Sequence, residues 1–240
     1  MSPREGAFVT ETEISVTAAD GRDFAAYLSV PPSGHGPGLL VLPEIYNANK
    51  HIRGVADGFA AEGFVALAPD VYWRLEHGAY LPYTAEGQAR ARALNKRLDL
   101  DRLIADLGAC ATTLRGRPEC HGKVGGIGFC LGGKLAYLCA ARLDVDAAVS
   151  YYGVKIEAFL DEADNVTCPL LLHFAGNDSH VPPDAVAAVR ARLTDKSNVT
   201  IHVYTGAEHG FNRAGYPPYD AASAKLARVR SLDLLERALS

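Results

Sequence analysis

The sequence predicts an α/β protein with a mostly parallel central sheet flanked by helices. Short apolar runs alternate with longer segments of helical spacing along the whole chain. The later runs are nearly continuous in Val, Ile, Leu, Ala and Phe, which is typical of strands buried on both faces. The 240 residues are 48% hydrophobic and contain no internal repeat or low-complexity linker, so we expect one domain over residues 1–240.

Seven apolar runs are predicted strands, at residues 24–30, 38–42, 64–68, 123–129, 146–151, 170–175 and 199–204. Five segments of helical spacing are predicted helices, at residues 50–62, 85–114, 131–142, 183–193 and 221–239. Ligands of such a sheet bind beyond the carboxyl ends of its strands. Polar residues directly after the apolar runs are therefore the first candidates for chemistry, namely Glu44, Asp70, Cys130, Asp178 and His209.

Composition argues against several other classes of protein. A net charge of −4 with scattered arginines gives no reason to expect nucleic acid or an anionic membrane as partner. The first residues lack the apolar run of a secretion signal and no stretch has the length of a membrane span, so we expect a cytoplasmic protein. The five cysteines form no C-x-x-C pair and no two of the eight histidines lie four residues apart. We therefore expect no disulfide framework, no metal and no cofactor.

The segment GFCLGGK at residues 128–134 is the most informative turn in the chain. A phosphate-binding P-loop would need a hydroxyl at position 135, where Leu135 stands, and a dinucleotide fingerprint would need glycine where Leu131 stands. A nucleophile elbow fits better, because flanking glycines allow the strained strand-to-helix turn that exposes the reactive residue. Cys130 is then a candidate nucleophile, and the alternative is a buried, inert thiol.

A cysteine nucleophile needs a histidine base and an orienting carboxylate, which follow the nucleophile in the order acid, histidine on α/β-hydrolase scaffolds. Asp178 follows the run LLLHFA, and His209 follows the run VTIHVY. His180 is the strongest competitor for the base, whereas His173 and His202 lie inside predicted strands and are expected to be structural. Taken alone, Asp178 is equally compatible with a simple Asn-Asp turn.

Several motifs together resemble the dienelactone hydrolase (carboxymethylenebutenolidase) family. They are GFCLGG around Cys130, Asp178, EHGF at 208–211, PEIY at 43–46, APDVYWR at 68–74 and YYG at 151–153. The resemblance extends from about residue 24 onward. It implies an α/β-hydrolase fold, a triad of Cys130, Asp178 and His209, and opening of an unsaturated lactone through an acyl-enzyme.

The resemblance also implies a role for Glu44, which in the family helps convert the resting thiol to a thiolate when substrate binds. The alternative for this residue is a solvated surface carboxylate. Glu44 lies in the loop where lipases place an oxyanion segment. We therefore expect the backbone N–H groups of Leu131 and Ile45 to hold the oxyanion.

Two arginines bind the substrate carboxylate in the family, and Arg213, four residues after His209, matches one of them. The second arginine of the family could correspond to Arg90 or to Arg92, and we predict Arg90 as the substrate-binding residue. Tyr152 of the YYG motif is also predicted to contact substrate. An arginine suits this task because its planar guanidinium can hold a carboxylate through two hydrogen bonds.

The resulting prediction is a hydrolase that opens a carboxylate-bearing enol lactone to a keto acid. An enol is a good leaving group, so a thiolate can attack the lactone carbonyl and expel the enol without strong acid assistance. The alternatives are a broad carboxylesterase or thioesterase on the same scaffold and a non-catalytic redox-sensing domain. The expected partner is a small-molecule lactone or ester, and the expected state is a monomer or small homo-oligomer.

Overall fold

The structure is a computed structural model that describes residues 10–240. The described chain forms two compact units. One contains the chain up to Val41 and Tyr46–Val124, and the other contains Leu42–Ile45 and Gly125–Ser240. The prediction of a single domain stays a prediction.

The first unit contains four strands in the order β1-β2-β4-β3. β1 and β4 both pair antiparallel with β2, and β3 pairs parallel with β4. Helices α1 and α3 pack against β4. The elements are β1 (Thr10–Thr17), β2 (Asp23–Val30), β3 (Gly36–Leu42), α1 (Lys50–Ala60), β4 (Val65–Pro69), α2 (Ala85–Asn95) and α3 (Leu100–Arg115).

The second unit contains four consecutive parallel strands, in the order β5-β6-β7-β8. Helices α4 and α6 pack against β6. The elements are β5 (Cys120–Phe129), α4 (Leu131–Arg142), β6 (Ala147–Tyr151), a 3₁₀ segment (Ile156–Asn165), β7 (Leu170–Ala175), α5 (Pro183–Leu193), β8 (Val199–Tyr204) and α6 (Ala221–Leu239). The first residues of β5, up to Val124, belong to the first unit.

Burial explains why the apolar runs form strands. Every residue of β4, β6 and β7 is buried, as a strand covered on both faces requires. Parallel pairing brings Phe129, Tyr151 and His173 into one register, so that β5, β6 and β7 end at the same edge. The predicted α/β class with a mostly parallel sheet is confirmed.

One prediction about the elements is wrong, and two elements were not predicted. The single helix expected at residues 85–114 is two helices, because the Asp99 side chain accepts a hydrogen bond from the Arg102 N–H and so caps the start of α3. β1 was not predicted, because seven of its eight residues are partly or fully exposed and only Val16 is buried. The 3₁₀ segment after β6 was likewise not predicted. Among residues 10–240, no helix combines the length and apolar character needed to cross a membrane.

Candidate active site

Cys130 forms the turn between β5 and α4, with φ 57° and ψ −112°. Such a conformation is costly for a residue with a side chain and persists only where the surroundings enforce it. Its backbone N–H donates to the Tyr151 carbonyl at 3.0 Å. A Cβ on Gly128 would lie 1.9 Å from the Gly132 carbonyl oxygen, so the turn closes only because residue 128 is glycine. The elbow geometry predicted from GFCLGG is therefore present.

Gly132 and Gly133 allow two other segments to approach the start of α4. A Cβ on Gly132 would lie 2.1 Å from the Leu42 carbonyl oxygen, and one on Gly133 would lie 2.7 Å from that of Tyr151. The segment Leu42–Ile45 therefore runs beside the first turn of α4. Leu131 is the first residue of α4, and the first N–H groups of a helix have no intrahelical acceptor.

Asp178 lies in the loop after β7, and its side chain is fully buried. Its Oδ1 accepts hydrogen bonds from the backbone N–H groups of His180 at 2.7 Å and Val181 at 3.1 Å. Its Oδ2 lies 2.8 Å from His209 Nδ1. These contacts fix the carboxylate, and the carboxylate in turn fixes the His209 ring with Nδ1 as the donor.

His209 follows β8, and its Nε2 is buried with no hydrogen bond of normal geometry among the described residues. Burial lowers the pKa of His209, but hydrogen bonding to Asp178 and the interaction with the Cys130 thiol together outweigh it and raise the pKa to about 10. The influence of Cys130 on this pKa means that the thiol and the imidazole interact. Cys130, Asp178 and His209 thus lie together.

His180 does not take the same position as His209. Its Nδ1 lies 3.9 Å from Asp178 Oδ1 and 3.1 Å from Ser179 Oγ. Its side chain is 54% exposed, against 9% for His209. The two imidazole rings lie 4.4 Å apart between centroids, and Asp178, His180 and His209 place ligand atoms within 4.8 Å of one another. Within residues 10–240, these three residues form the cluster whose ligand atoms are close enough to bind a metal ion, although Asp178 already bonds His209 Nδ1.

Glu44 is buried rather than solvated and pairs with Arg213. Two hydrogen bonds join the side chains, from Nε to Oε2 at 3.1 Å and from Nη2 to Oε1 at 2.8 Å. Only 1% of the Glu44 side chain and 14% of the Arg213 side chain are exposed. The Arg213 backbone N–H donates to the Gly210 carbonyl at 2.9 Å, so the arginine belongs to the turn that carries His209.

The other two predicted substrate contacts, Tyr152 and Arg90, have different surroundings. Tyr152 is buried, has φ 38°, and packs its ring on His209 with 4.9 Å between centroids. Arg90 lies on α2 in the first unit, is exposed, and forms an ion pair with Glu76. The substrate-binding roles of both residues stay predictions.

Sequence reasoning did not identify Lys134 and Lys155, whose backbone segments contact the Cys130 carbonyl. Lys134 and Val154 both donate their backbone N–H to the Cys130 carbonyl, each at 3.3 Å. A signal was present, because Lys134 is the one charged residue in the apolar segment LGGKLAYLCAA. His173, expected to be structural, is buried with its nitrogens 3.0 Å from Ser231 Oγ and 2.9 Å from the Tyr204 hydroxyl.

Known proteins resemble this chain over nearly its full length. The sequence profile of the dienelactone hydrolase family matches residues 24–239. A relative from Azospirillum brasilense, provisionally assigned as a carboxymethylenebutenolidase, is 40% identical over 223 residues, which cover 92% of this chain and 96% of the relative. The carboxymethylenebutenolidase of Pseudomonas putida is 34% identical over 223 residues, covering 92% and 94%. A crystal structure from Klebsiella pneumoniae, provisionally assigned as a dienelactone hydrolase, has a TM-score of 0.85 at 26% identity, covering 96% of this chain and 99% of that chain.

The fold and the elbow after β5 define an α/β hydrolase. The profile match and the identities to its relatives go further, and the chain belongs to the dienelactone hydrolase family. It is a carboxylic ester hydrolase that acts on small-molecule esters or lactones.

Proposed function

We propose that the protein opens a carboxylate-bearing enol lactone to a keto acid through an acyl-enzyme on Cys130. The observation that carries this proposal is the buried Glu44–Arg213 pair, whose arginine belongs to the turn that also carries His209. The planar guanidinium forms two-bond pairs with carboxylates, so a substrate carboxylate can compete with Glu44 for Arg213. The Pseudomonas putida relative is a carboxymethylenebutenolidase, which supports the same substrate class.

The raised pKa of His209 favours the doubly protonated imidazole in the resting protein. With its pKa raised to about 10, the imidazole keeps its second proton at neutral pH, and its positive charge would stabilise the thiolate that forms on Cys130 when substrate binds. A protonated His209 cannot accept the thiol proton, so a second acceptor is needed. Glu44 suits this role once a substrate carboxylate competes for Arg213, because it then loses its counter-ion.

The reaction then balances in two halves. The Cys130 thiolate attacks the lactone carbonyl, the ring C–O bond breaks, and His209 donates its proton to the enol oxygen, which tautomerises to the ketone. Neutral His209 next takes a proton from water, whose hydroxide attacks the thioester. The C–S bond breaks, and the product acid loses its proton to solvent and leaves as a carboxylate. The regenerated thiolate recovers its proton from Glu44.

The oxyanion of each tetrahedral intermediate needs N–H donors, and we assign these to Leu131 and Ile45. Gly132 supports this assignment, because it lets the Leu42–Ile45 segment run beside the first turn of α4. Each well-placed donor contributes roughly 3 kcal/mol to transition-state stabilisation. Tyr152 acts on the same centre as a positioning residue, since its buried ring packs on His209.

The test compares a carboxylate-bearing enol lactone with its neutral methyl ester. Arg213→Gln should reduce kcat/KM on the carboxylate substrate about 30- to 1000-fold more than on the ester, equivalent to roughly 2–4 kcal/mol. The double variant Arg213→Gln with Glu44→Gln avoids leaving a buried carboxylate unpaired and should keep the same discrimination. An equal loss on both substrates would favour a broad carboxylesterase instead.

A further inference from the structure

Helix α4 is buried from Leu131 to Ala141 except at one lysine. From Leu131 to Ala141 every residue is buried apart from Lys134, which is half-buried. A lysine in such a helix keeps its ammonium group in contact with water while its methylene chain is covered. Solvent therefore reaches this helix at a position one turn after Cys130.

A second lysine, Lys155, follows a residue that contacts the same Cys130 carbonyl. Val154 and Lys134 both donate their N–H groups to the Cys130 carbonyl, and Lys155 directly follows Val154. A Cβ on Gly133 would lie 2.7 Å from the Gly153 Cα, so the 153–155 turn packs tightly on the start of α4. Lys155 has φ 57° and ψ 31°, a left-handed conformation that is uncommon for lysine.

The charges of the two lysines reach each other and the thiol. Burial lowers the pKa of Lys134, repulsion from Lys155 lowers it further, and attraction to Cys130 opposes both effects. Within residues 10–240, neither lysine forms an ion pair with a carboxylate. By contrast, the charge of Arg213 is balanced by Glu44.

We propose that Lys134 and Lys155 form an anion-binding subsite beside Cys130, which holds a second carboxylate of a dianionic lactone or ester. The subsite rests on the proposed role of Cys130 as the reacting group. It adds to the Arg213 site, because Arg213 takes one carboxylate in exchange for Glu44 and the two lysines carry positive charge that no described carboxylate balances. A substrate with two carboxylates would bind both Arg213 and the lysine subsite.

The test measures how fast Cys130 is alkylated by iodoacetate, an anion, and by iodoacetamide, its neutral analogue. The ratio of the two rates cancels the thiolate fraction and reports the charge near the sulfur. Peptide mass spectrometry assigns alkylation to Cys130. Lys134→Gln and Lys155→Gln should each lower the ratio about threefold, and the double variant about tenfold, with smaller changes at high salt.

Lys225→Gln on the exposed surface of α6 is the matched control and should leave the ratio unchanged. The proposal is overturned if the double variant gives the same ratio as this control. A second readout is the preference in kcat/KM for an aryl ester with two carboxylates over one with a single carboxylate, which the double variant should lose. Alkylation needs only the thiol, so this result stands apart from whether Cys130 forms an acyl-enzyme.

Discussion

At the scale of single residues, Glu44 and Arg213 form an ion pair, and the proposed start of the reaction rests on this pair. The residues lie 169 positions apart in the chain, yet both are largely buried. A buried ion pair is stable only while both partners are present. In the proposed mechanism, a substrate carboxylate that takes Arg213 removes this ion pair from Glu44, so that the buried carboxylate can accept a proton.

Replacing Glu44 with Gln separates binding from turnover. Arg213 is then open to the substrate carboxylate, so KM for a carboxylate-bearing lactone should fall several-fold. The acceptor for the thiol proton is lost, so kcat should fall by about tenfold or more. Steady-state kinetics measure both, and the neutral methyl ester, whose KM should not change, is the control. Unchanged kcat and KM on the carboxylate lactone would remove Glu44 from the mechanism.

Sequence reasoning predicted which residues lie together better than it predicted their contacts. Cys130, Asp178 and His209 each follow an apolar run, and parallel strands bring such positions to one edge of a sheet. The pairing of Glu44 with Arg213 could not be predicted from the strand ends that these residues follow. It depends on the path of the turn after β8, which tertiary packing determines.

At the scale of elements, the strand-to-helix elbow depends on glycines that face backbone atoms. A backbone carbonyl cannot move aside as a flexible side chain can, so a methyl group at residue 132 displaces either α4 or the Leu42–Ile45 segment. The division of the predicted 85–114 helix has an equally local cause in the Asp99 cap, a signal present in the sequence.

Gly132→Ala should therefore lower both stability and activity. We expect a loss of roughly 1–3 kcal/mol in the free energy of unfolding, with a decrease in kcat larger than the unfolded fraction explains. Gly126→Ala in β5 is the matched control, because its Cβ would meet nothing within 4 Å. Urea unfolding and ester hydrolysis on both variants give the comparison. Equal stability and activity of the two variants would mean that the close approach of Leu42 to Gly132 is unimportant.

At the scale of the whole molecule, two buried histidines couple stability to pH in opposite directions. Burial keeps the pKa of His173 well below 6.5, so its protonation in the unfolded chain destabilises the fold as pH falls below about 6.5. His209 has a raised pKa, so its contribution is fully present below about 6.5 and is lost as pH rises toward about 10.

The difference in unfolding free energy between the wild type and His209→Gln should therefore shrink steadily from pH 6 to pH 10. His173 is common to both proteins, so its effect cancels in the difference. Urea unfolding at a series of pH values measures it. A difference that stays constant over this range would contradict the raised pKa of His209.

The central claim is that Cys130 forms the acyl-enzyme. Intact-mass spectrometry after rapid quenching of a slowly hydrolysed aryl ester should show one acyl group, and peptide mapping should place it on Cys130. Folded Cys130→Ala should show no adduct and no turnover, whereas Cys168→Ala should retain both. Turnover by Cys130→Ala, or an acyl group on another residue, would contradict the account.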